Sequence, residues 1–258
     1  MEKLLQIHNL KKVFGAGTIN EKTAIRDLSL ELSAGDFLTV IGNNGAGKST
    51  LLNCIAGVFP ADEGEILLDG RNITKMPEYK RAAYIGRVFQ DPLKGTAFDM
   101  TIEENLAIAA AKGKCRGLQP GITRADKKEF REKLASLGMG LEDKMTQKVK
   151  LLSGGQRQRL TIARALVGKP EILIMDDSAS ALDFATDAAL RHAVKTQTEG
   201  MTVFIVSQRA SSIRQADKIL VLDDGCLAGI GTHQELMKSC EVYREICLSQ
   251  LSEQEVNR

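Results

Sequence analysis

The residues with the clearest chemical meaning form a glycine-rich segment that fits the pattern G-x-x-x-x-G-K-[ST]. The apolar run DFLTVIG precedes it and predicts a buried strand, and the helical pattern KSTLLNCIAGV follows. Glycines let the backbone curl so that its N–H groups point at phosphate oxygens, and a helix start adds partial positive charge. The segment predicts a phosphate-binding loop rather than a chance glycine turn. Its residues are Gly42, Asn43, Asn44, Gly45, Ala46, Gly47, Lys48, Ser49 and Thr50.

Two side chains of this loop have defined roles in the prediction. Lys48 is expected to reach the β- and γ-phosphates of a nucleotide and to stabilise charge there during reaction. Ser49 is expected to supply a hydroxyl ligand to Mg²⁺, a hard cation that prefers oxygen.

A second candidate anion site reads LSGGQ and is followed by the helical run RQRLTIARAL. A serine and backbone N–H groups at a helix start can face a phosphate, although the same pattern is also typical of a glycine-rich helix cap. The buried-strand pattern EILIMDD comes next, and Asp176 at its end is placed to hold Mg²⁺ through water. The candidate residues of the LSGGQ segment are Ser153, Gly154, Gly155 and Gln156.

Together these segments resemble the ATP-binding cassette family. The phosphate loop at 42–50, LSGGQ at 152–156 and ILIMD at 172–176 occur in the order and spacing of that family, over nearly the whole chain. The resemblance implies two cassettes, of the same or different chains, paired head to tail. Each phosphate loop then faces the other subunit's LSGGQ segment across a bound ATP.

The resemblance assigns roles to three further residues. Gln90, in VFQDP, matches a glutamine that contacts Mg²⁺ and links the site to a helical subdomain. Phe14 stands where the family places an aromatic ring against adenine, and ordinary core packing is the alternative. Asp183, in SALD, matches a loop that crosses the dimer interface. For Gln90 and Asp183 the alternative is a solvated polar side chain.

Two catalytic positions depart from the family pattern. Asp177 follows Asp176 where the family usually has a glutamate that polarises the attacking water. Gln208, after the strand pattern TVFIVS, replaces a histidine that contacts the γ-phosphate, and glutamine cannot carry positive charge. Both changes together resemble the degenerate site of some heterodimeric exporters.

The N-terminal and C-terminal parts of the chain resemble different groups of transporter ATPases. EKTAIRDL and GRVFQDPLKGTA look like the ATPase subunit of an amino-acid importer, whereas DDSASALDFATDAALR and GTHQELMKSCEVYREI look like an exporter half. We interpret this as recombination near 152–170. The alternative is a single divergent lineage that carries both the importer-like and the exporter-like sequence patterns.

The elements that position these residues predict an α/β fold, namely a P-loop NTPase core with a mixed sheet. Strand patterns LLQIHNL and AIRDLSLEL predict antiparallel strands at the N-terminal side, and later strands alternate with helices as in a parallel sheet. Helical spacing with charges on one face predicts an inserted helical subdomain. The predicted division is a single ABC ATPase domain over 1–258, with a core of 1–90 and 161–258 and a subdomain of 91–160.

Composition limits the partners. The chain has 258 residues, and 35 Lys and Arg against 33 Asp and Glu leave a net charge of +2, which gives no support to a nucleic-acid partner. Five cysteines without a C-x-x-C pair indicate reduced thiols. No stretch predicts a membrane span. We therefore expect a cytoplasmic protein, peripheral on the inner face of the membrane, with a transmembrane permease subunit as partner.

The sequence thus predicts an ATP-binding subunit that hydrolyses MgATP to drive solute transport. The first alternative is a hydrolysis-deficient regulatory half of a heterodimeric system, favoured by Asp177 and Gln208. The second is a cassette of DNA repair or translation, which usually has a duplicated cassette or long coiled coil, and the sequence shows neither.

Turnover should be slow and should rise when the usual residues are restored. A general base must lie within about 2.6–3.2 Å of its proton, and the shorter Asp177 side chain holds the attacking water loosely. We expect Asp177→Glu to raise the rate, Gln208→His alone to do less, and the double variant to exceed both. Steady-state phosphate release measures all four proteins. A wild-type rate at or above that of the double variant would mean that Asp177 is an adequate base.

Overall fold

The computed structural model describes residues 3–89, 91, 93–113, 120–138, 140–176, 200–206 and 216–250. The chain forms two compact units, one of residues 1–81 with 202–258 and one of residues 82–201. The phosphate loop belongs to the first unit, and LSGGQ and Asp176 belong to the second.

The described strands are, in chain order, β1 (Lys3–Phe14), β2 (Lys22–Ser33), β3 (Phe37–Gly42), β4 (Glu63–Leu68), β5 (Arg71–Asn72), β6 (Ile85–Val88), β7 (Ile172–Asp176), β8 (Thr202–Val206), β9 (Lys218–Asp223) and β10 (Cys226–Gly231). The described helices are α1 (Lys48–Ala56), α2 (Glu78–Arg81), α3 (Ile102–Ala110), α4 (Arg124–Leu137), α5 (Gly154–Val167), α6 (His233–Ser239) and α7 (Glu241–Gln250), with a 3₁₀ turn at Val149–Leu151. No helix in these described ranges is long and apolar enough to cross a membrane.

Antiparallel strands form one side of the first unit's sheet. β1 pairs with β2 and with β4, and β4 pairs with the short β5. Alternate residues of β1, such as Leu5 and Ile7, are fully buried, as expected for a strand with one face on a core. These strands hold Phe14 and Lys22 opposite each other where β1 ends and β2 begins.

Parallel strands form the other side of this sheet. β3 pairs in parallel with β8 and with β9, and its first five residues are all buried, as in strands covered on both faces. β10 runs antiparallel to β9 and meets β2 in one parallel pair, Cys226 with Asp27. The described order in this unit is therefore β5-β4-β1-β2-β10-β9-β3-β8.

Helix α1 is fixed at its C-terminal end by a buried arginine. Arg81 Nη1 donates to the carbonyl oxygens of Cys54 and Ile55 at 2.7 and 2.8 Å. Its other nitrogens donate to the carbonyls of Thr74 and Met76. Carbonyls at a helix end have no partner within the helix, so Arg81 satisfies two of them. The end of α1 that lies away from the phosphate loop is thus held by Arg81.

The described part of the second unit combines two parallel strands, β6 and β7, with the three helices α3, α4 and α5. α5 packs against both α3 and α4. Each of the three begins with a capping box, in which Thr101, Thr123 or Ser153 accepts from the backbone N–H three residues on. The start of α5 is therefore fixed by its own sequence.

The predicted α/β class with a mixed sheet and N-terminal antiparallel strands is confirmed. The strand patterns LLQIHNL, AIRDLSLEL, DFLTVIG, EILIMDD and TVFIVS correspond to β1, β2, β3, β7 and β8. β5 and β10 were not predicted, because a two-residue strand carries no periodicity and the half-exposed β10 has small residues at Ala228 and Gly229.

Candidate nucleotide-binding site

Close backbone packing fixes the phosphate loop between β3 and α1. Gly47 has a φ of 99°, and a Cβ added there would lie 2.6 Å from the carbonyl oxygen of Ala24. At Gly42 an added Cβ would collide with the carbonyl oxygen of Leu222. Backbone atoms cannot swing aside as a flexible side chain can, so both positions require glycine.

The ammonium of Lys48 lies within the curl of the loop. Lys48 is 8% exposed, and its Nζ donates to the carbonyl oxygens of Gly42 at 2.7 Å and Asn43 at 2.9 Å. Asn43, Asn44, Gly45 and Ser49 are exposed, and Thr50 is partly buried. The first turn of α1 has no acidic residue, so nothing in that turn neutralises the partial positive charge of the helix start. The loop can receive a polyanion at its open side.

A tight turn between β9 and β10 braces the loop from outside. Gly225 N donates to the Ala46 carbonyl at 3.2 Å, and Arg26 N donates to the Gly225 carbonyl at 2.9 Å. Arg26 also bonds Asp224 through its guanidinium, at 2.6 Å to Oδ2 and 3.0 Å to the main-chain oxygen. The sequence indicates this turn only as an Asp-Gly pair after a strand, which is a hairpin signal, and its contact with the loop was missed.

The predicted adenine-stacking residue, Phe14, is partly buried at the end of β1. Its ring meets Phe59 edge-on at 5.2 Å between centroids, and Lys12 Nζ lies 5.4 Å from its centroid. Asp62 accepts from Lys12 Nζ at 3.0 Å and from Val13 N at 2.6 Å. These supporting contacts were missed as well, since nothing in the pattern links Asp62 to β1.

The second unit presents LSGGQ at the start of α5. Ser153 Oγ accepts from Gln156 N at 3.3 Å, and Gln156 Oε1 accepts from Ser153 N at 3.2 Å. Ser153 and Gly154 are exposed, Gly155 is partly buried, and the first turn has no acidic residue. A Cβ added to Gly154 would meet open space, so this chain's own packing does not require glycine there.

Asp176 ends β7 and is partly buried, after four buried residues. Four predicted site residues lie outside the described residues: Gln90, Asp177, Asp183 and Gln208. The structure therefore describes both candidate anion-binding segments and Asp176, and the roles given to individual side chains stay predictions.

Comparison with known proteins identifies the family. The model of the ABC transporter family matches residues 25–180. The tyrosine transport ATP-binding protein of Clostridioides difficile is 35% identical over 225 residues, which cover 86% of this chain and 89% of that protein. This chain belongs to the ABC transporter family.

Other relatives give the same assignment for this ABC ATPase domain. A probable multidrug resistance ABC transporter ATP-binding/permease protein of Bacillus subtilis is 38% identical over 221 residues, covering 86% of this chain but 37% of that protein. The ATP-binding cassette MJ0796, solved as a dimer in a post-hydrolysis state with ADP and Pi, is 29% identical. It aligns with a TM-score of 0.75 over 89% of this chain and 98% of that one. The hydrolysis-deficient regulatory half is not favoured by these relatives.

The relatives also address the resemblance of the two parts of the sequence to importer and exporter ATPases. The Bacillus subtilis protein and the tyrosine transport protein each match 86% of this ABC ATPase domain, so neither match is confined to one side of the 152–170 region. A recombinant origin stays a hypothesis.

The contribution to stability of Asp62, which pairs with Lys12 near the Phe14 ring, should depend on pH. Partial burial would raise the pKa of Asp62, but the Val13 N–H and the Lys12 ammonium outweigh it and lower this pKa. A lowered folded-state pKa stabilises the fold above the unfolded value of about 3.9, and the contribution is lost as pH falls through the folded value. With its side chain 39% exposed, Asp62 is screened by solvent, and we expect about 1 kcal/mol or less at pH 7.

Urea unfolding of wild type and Asp62→Asn at several pH values measures this contribution. The two free energies of unfolding should differ at pH 7 and converge below about pH 4. Asp69→Asn, which removes a carboxylate from an exposed pair with Arg71, is the matched control. A difference that is constant with pH would contradict the assigned ionic role.

Proposed function

We propose that this ABC ATPase domain binds MgATP at residues 42–50 and hydrolyses it to drive solute transport through a membrane partner. The observation that carries the proposal is the phosphate loop itself, with the buried Lys48 ammonium inside a backbone curl at the start of α1. Such a loop holds phosphates through N–H groups, the helix start and one lysine. The catalytic roles predicted for Asp177, Gln208 and Lys48, and the adenine contact predicted for Phe14, belong to this proposal.

The residues present fit a magnesium ion that arrives with the nucleotide. Among the described residues, no group of three or more His, Cys, Asp or Glu side chains is gathered as a metal site. Mg²⁺ needs no such cage, because it keeps waters and takes one or two protein oxygens besides the substrate phosphates. The exposed Ser49 hydroxyl and the Asp176 carboxylate are suitable ligands, with Gln90 as the third predicted one. When bound, the ion neutralises charge on the phosphates.

We also propose a head-to-tail dimer closed by ATP, either with a second copy or with another cassette. Gly154 supports it, because the chain leaves open space around this glycine and exposes the helix start beside it. A helix N-terminus without an acidic first turn favours an incoming phosphate. The dimeric state of MJ0796 is a property of that relative and agrees with the proposal that this domain forms a dimer.

A permease subunit is the proposed membrane partner, with the domain on the cytoplasmic side. The chain spans 37% of the Bacillus subtilis ATP-binding/permease protein, so the permease is proposed either as a separate subunit or as part of a longer chain. A largely apolar groove of about 500 Å³ on the second unit supports this. It includes Met100, Ala107, Ile108 and Ile122, and Ile108 is 47% exposed. All four residues lie within the proposed helical subdomain of 91–160.

Lys48→Ala should abolish most MgATP affinity without unfolding the chain. Hydrogen bonds to charged groups contribute about 1.5–3 kcal/mol, so we expect the Kd to rise by at least about tenfold. Titration calorimetry measures the Kd, and Lys75→Ala, which removes an exposed lysine elsewhere in the first unit, is the control. Equal affinities of wild type and Lys48→Ala would show that the loop does not bind phosphate.

ATP should convert the monomer to a dimer, most visibly in the hydrolysis-impaired Asp177→Asn background. A ligand bound by both subunits stabilises their pair by mass action. Adding Gly154→Asp should leave the fold intact, because the site has room, but weaken the dimer by placing a carboxylate beside phosphate. Light scattering with MgATP gives the masses. A dimer that is insensitive to Gly154→Asp would remove LSGGQ from the interface.

A further inference from the structure

One lysine near the phosphate loop has no acidic partner among the described residues. β1 and β2 carry five lysine and arginine residues, and four of them form ion pairs: Lys3 with Glu31, Lys11 with Glu63, Lys12 with Asp62 and Arg26 with Asp224. The fifth, Lys22, is exposed and pairs with no described carboxylate. Its neighbour Glu21 instead accepts from Gly17 N at 2.7 Å within the β1–β2 loop.

The position of Lys22 is set by the strand register. It lies directly opposite Phe14 in the antiparallel ladder, so both side chains stand on the same face of the pair. A Cβ placed on Gly45, at the exposed side of the phosphate loop, would lie 4.0 Å from Lys22 Nζ. The ammonium therefore lies near the open side of the loop, and the residue that carries it stands opposite the proposed adenine platform.

The backbone beside Lys22 is anchored to the same loop. Ala24, two residues further along β2, places its carbonyl oxygen against Gly47. The β1–β2 loop that leads to Lys22 is closed by Thr18, which donates from its backbone N and its hydroxyl to the Gly15 carbonyl at 3.0 and 2.7 Å. The lysine is thus presented from a fixed strand start, which limits the freedom it must lose on binding.

We propose that Lys22 is a second phosphate-binding cation, which contacts the part of the nucleotide between the base and the terminal phosphates. The inference rests on the proposed function of the loop. Lys48 lies within the curl of the phosphate loop and Lys22 lies at the exposed side of that loop, near Gly45. The two ammonium groups therefore face one polyanion from different sides. A lysine is a point charge with three donors, suited to phosphate oxygens without a fixed angle. Lys22 raises affinity for any adenine nucleotide that carries phosphate, and it leaves adenosine binding unchanged.

The test compares the dissociation constants of MgATP, ADP and adenosine for wild type, Lys22→Met, Lys22→Arg and Lys75→Met. An exposed charge-assisted contact is screened by solvent, so we expect Lys22→Met to weaken MgATP and ADP by about fivefold. Lys22→Arg should recover most of the affinity and Lys75→Met should lose none. The difference between wild type and Lys22→Met should shrink as salt rises from about 0.05 to 0.5 M, because the Debye length shortens.

Three outcomes overturn the inference. Unchanged affinity in Lys22→Met, while Lys48→Ala loses binding, would reject the role of Lys22 and leave the phosphate loop assigned. Equal loss for adenosine and MgATP would mean that Lys22 acts on the base site instead. A weaker ATP-dependent dimer with unchanged nucleotide affinity would assign Lys22 to an acidic group of a partner subunit. Unchanged binding in Lys48→Ala would instead reject the proposed function itself.

Discussion

The phosphate loop keeps its shape because main-chain atoms of distant segments occupy the space where side chains would stand. The carbonyl oxygens of Ala24 and Leu222 approach Gly47 and Gly42 so closely that no Cβ fits. Those carbonyls belong to β2 and β9, and the turn after β9 bonds Ala46 through Gly225. The loop conformation is therefore a property of the whole first unit, since moving any of these strands would release it.

This packing also explains how a lysine is kept inside the curl. A buried ammonium is costly unless hydrogen bonds compensate it, and the carbonyl oxygens of Gly42 and Asn43 do so for Lys48. Those carbonyls are oriented by the glycine conformations on either side. The close backbone packing and the position of the Lys48 ammonium therefore depend on each other, because the packed backbone provides the carbonyl oxygens that the ammonium needs.

The sequence predicted what is contiguous along the chain and missed what is assembled across it. The order strand, loop and helix over 36–58 is local, and so are the LSGGQ capping box and the strand ending at Asp176. The brace from Asp224 and Gly225, and the Lys12–Asp62 pair beneath Phe14, join positions far apart in sequence. Lys22 is an ordinary charged residue until the register places it opposite Phe14. Spacing rules report periodicity within an element, and such contacts depend on how elements pair.

The capping box at the start of α5 has a consequence for proton positions. A hydroxyl oxygen can accept one hydrogen bond and donate another. Ser153 Oγ accepts from Gln156 N, and the described residues offer its hydroxyl hydrogen no acceptor. Acceptance from Gln156 therefore fixes the oxygen without consuming its hydrogen, which stays available to an oxyanion. The bond that caps the start of the helix therefore leaves a hydroxyl donor ready, and an arriving anion need not break the cap to use it.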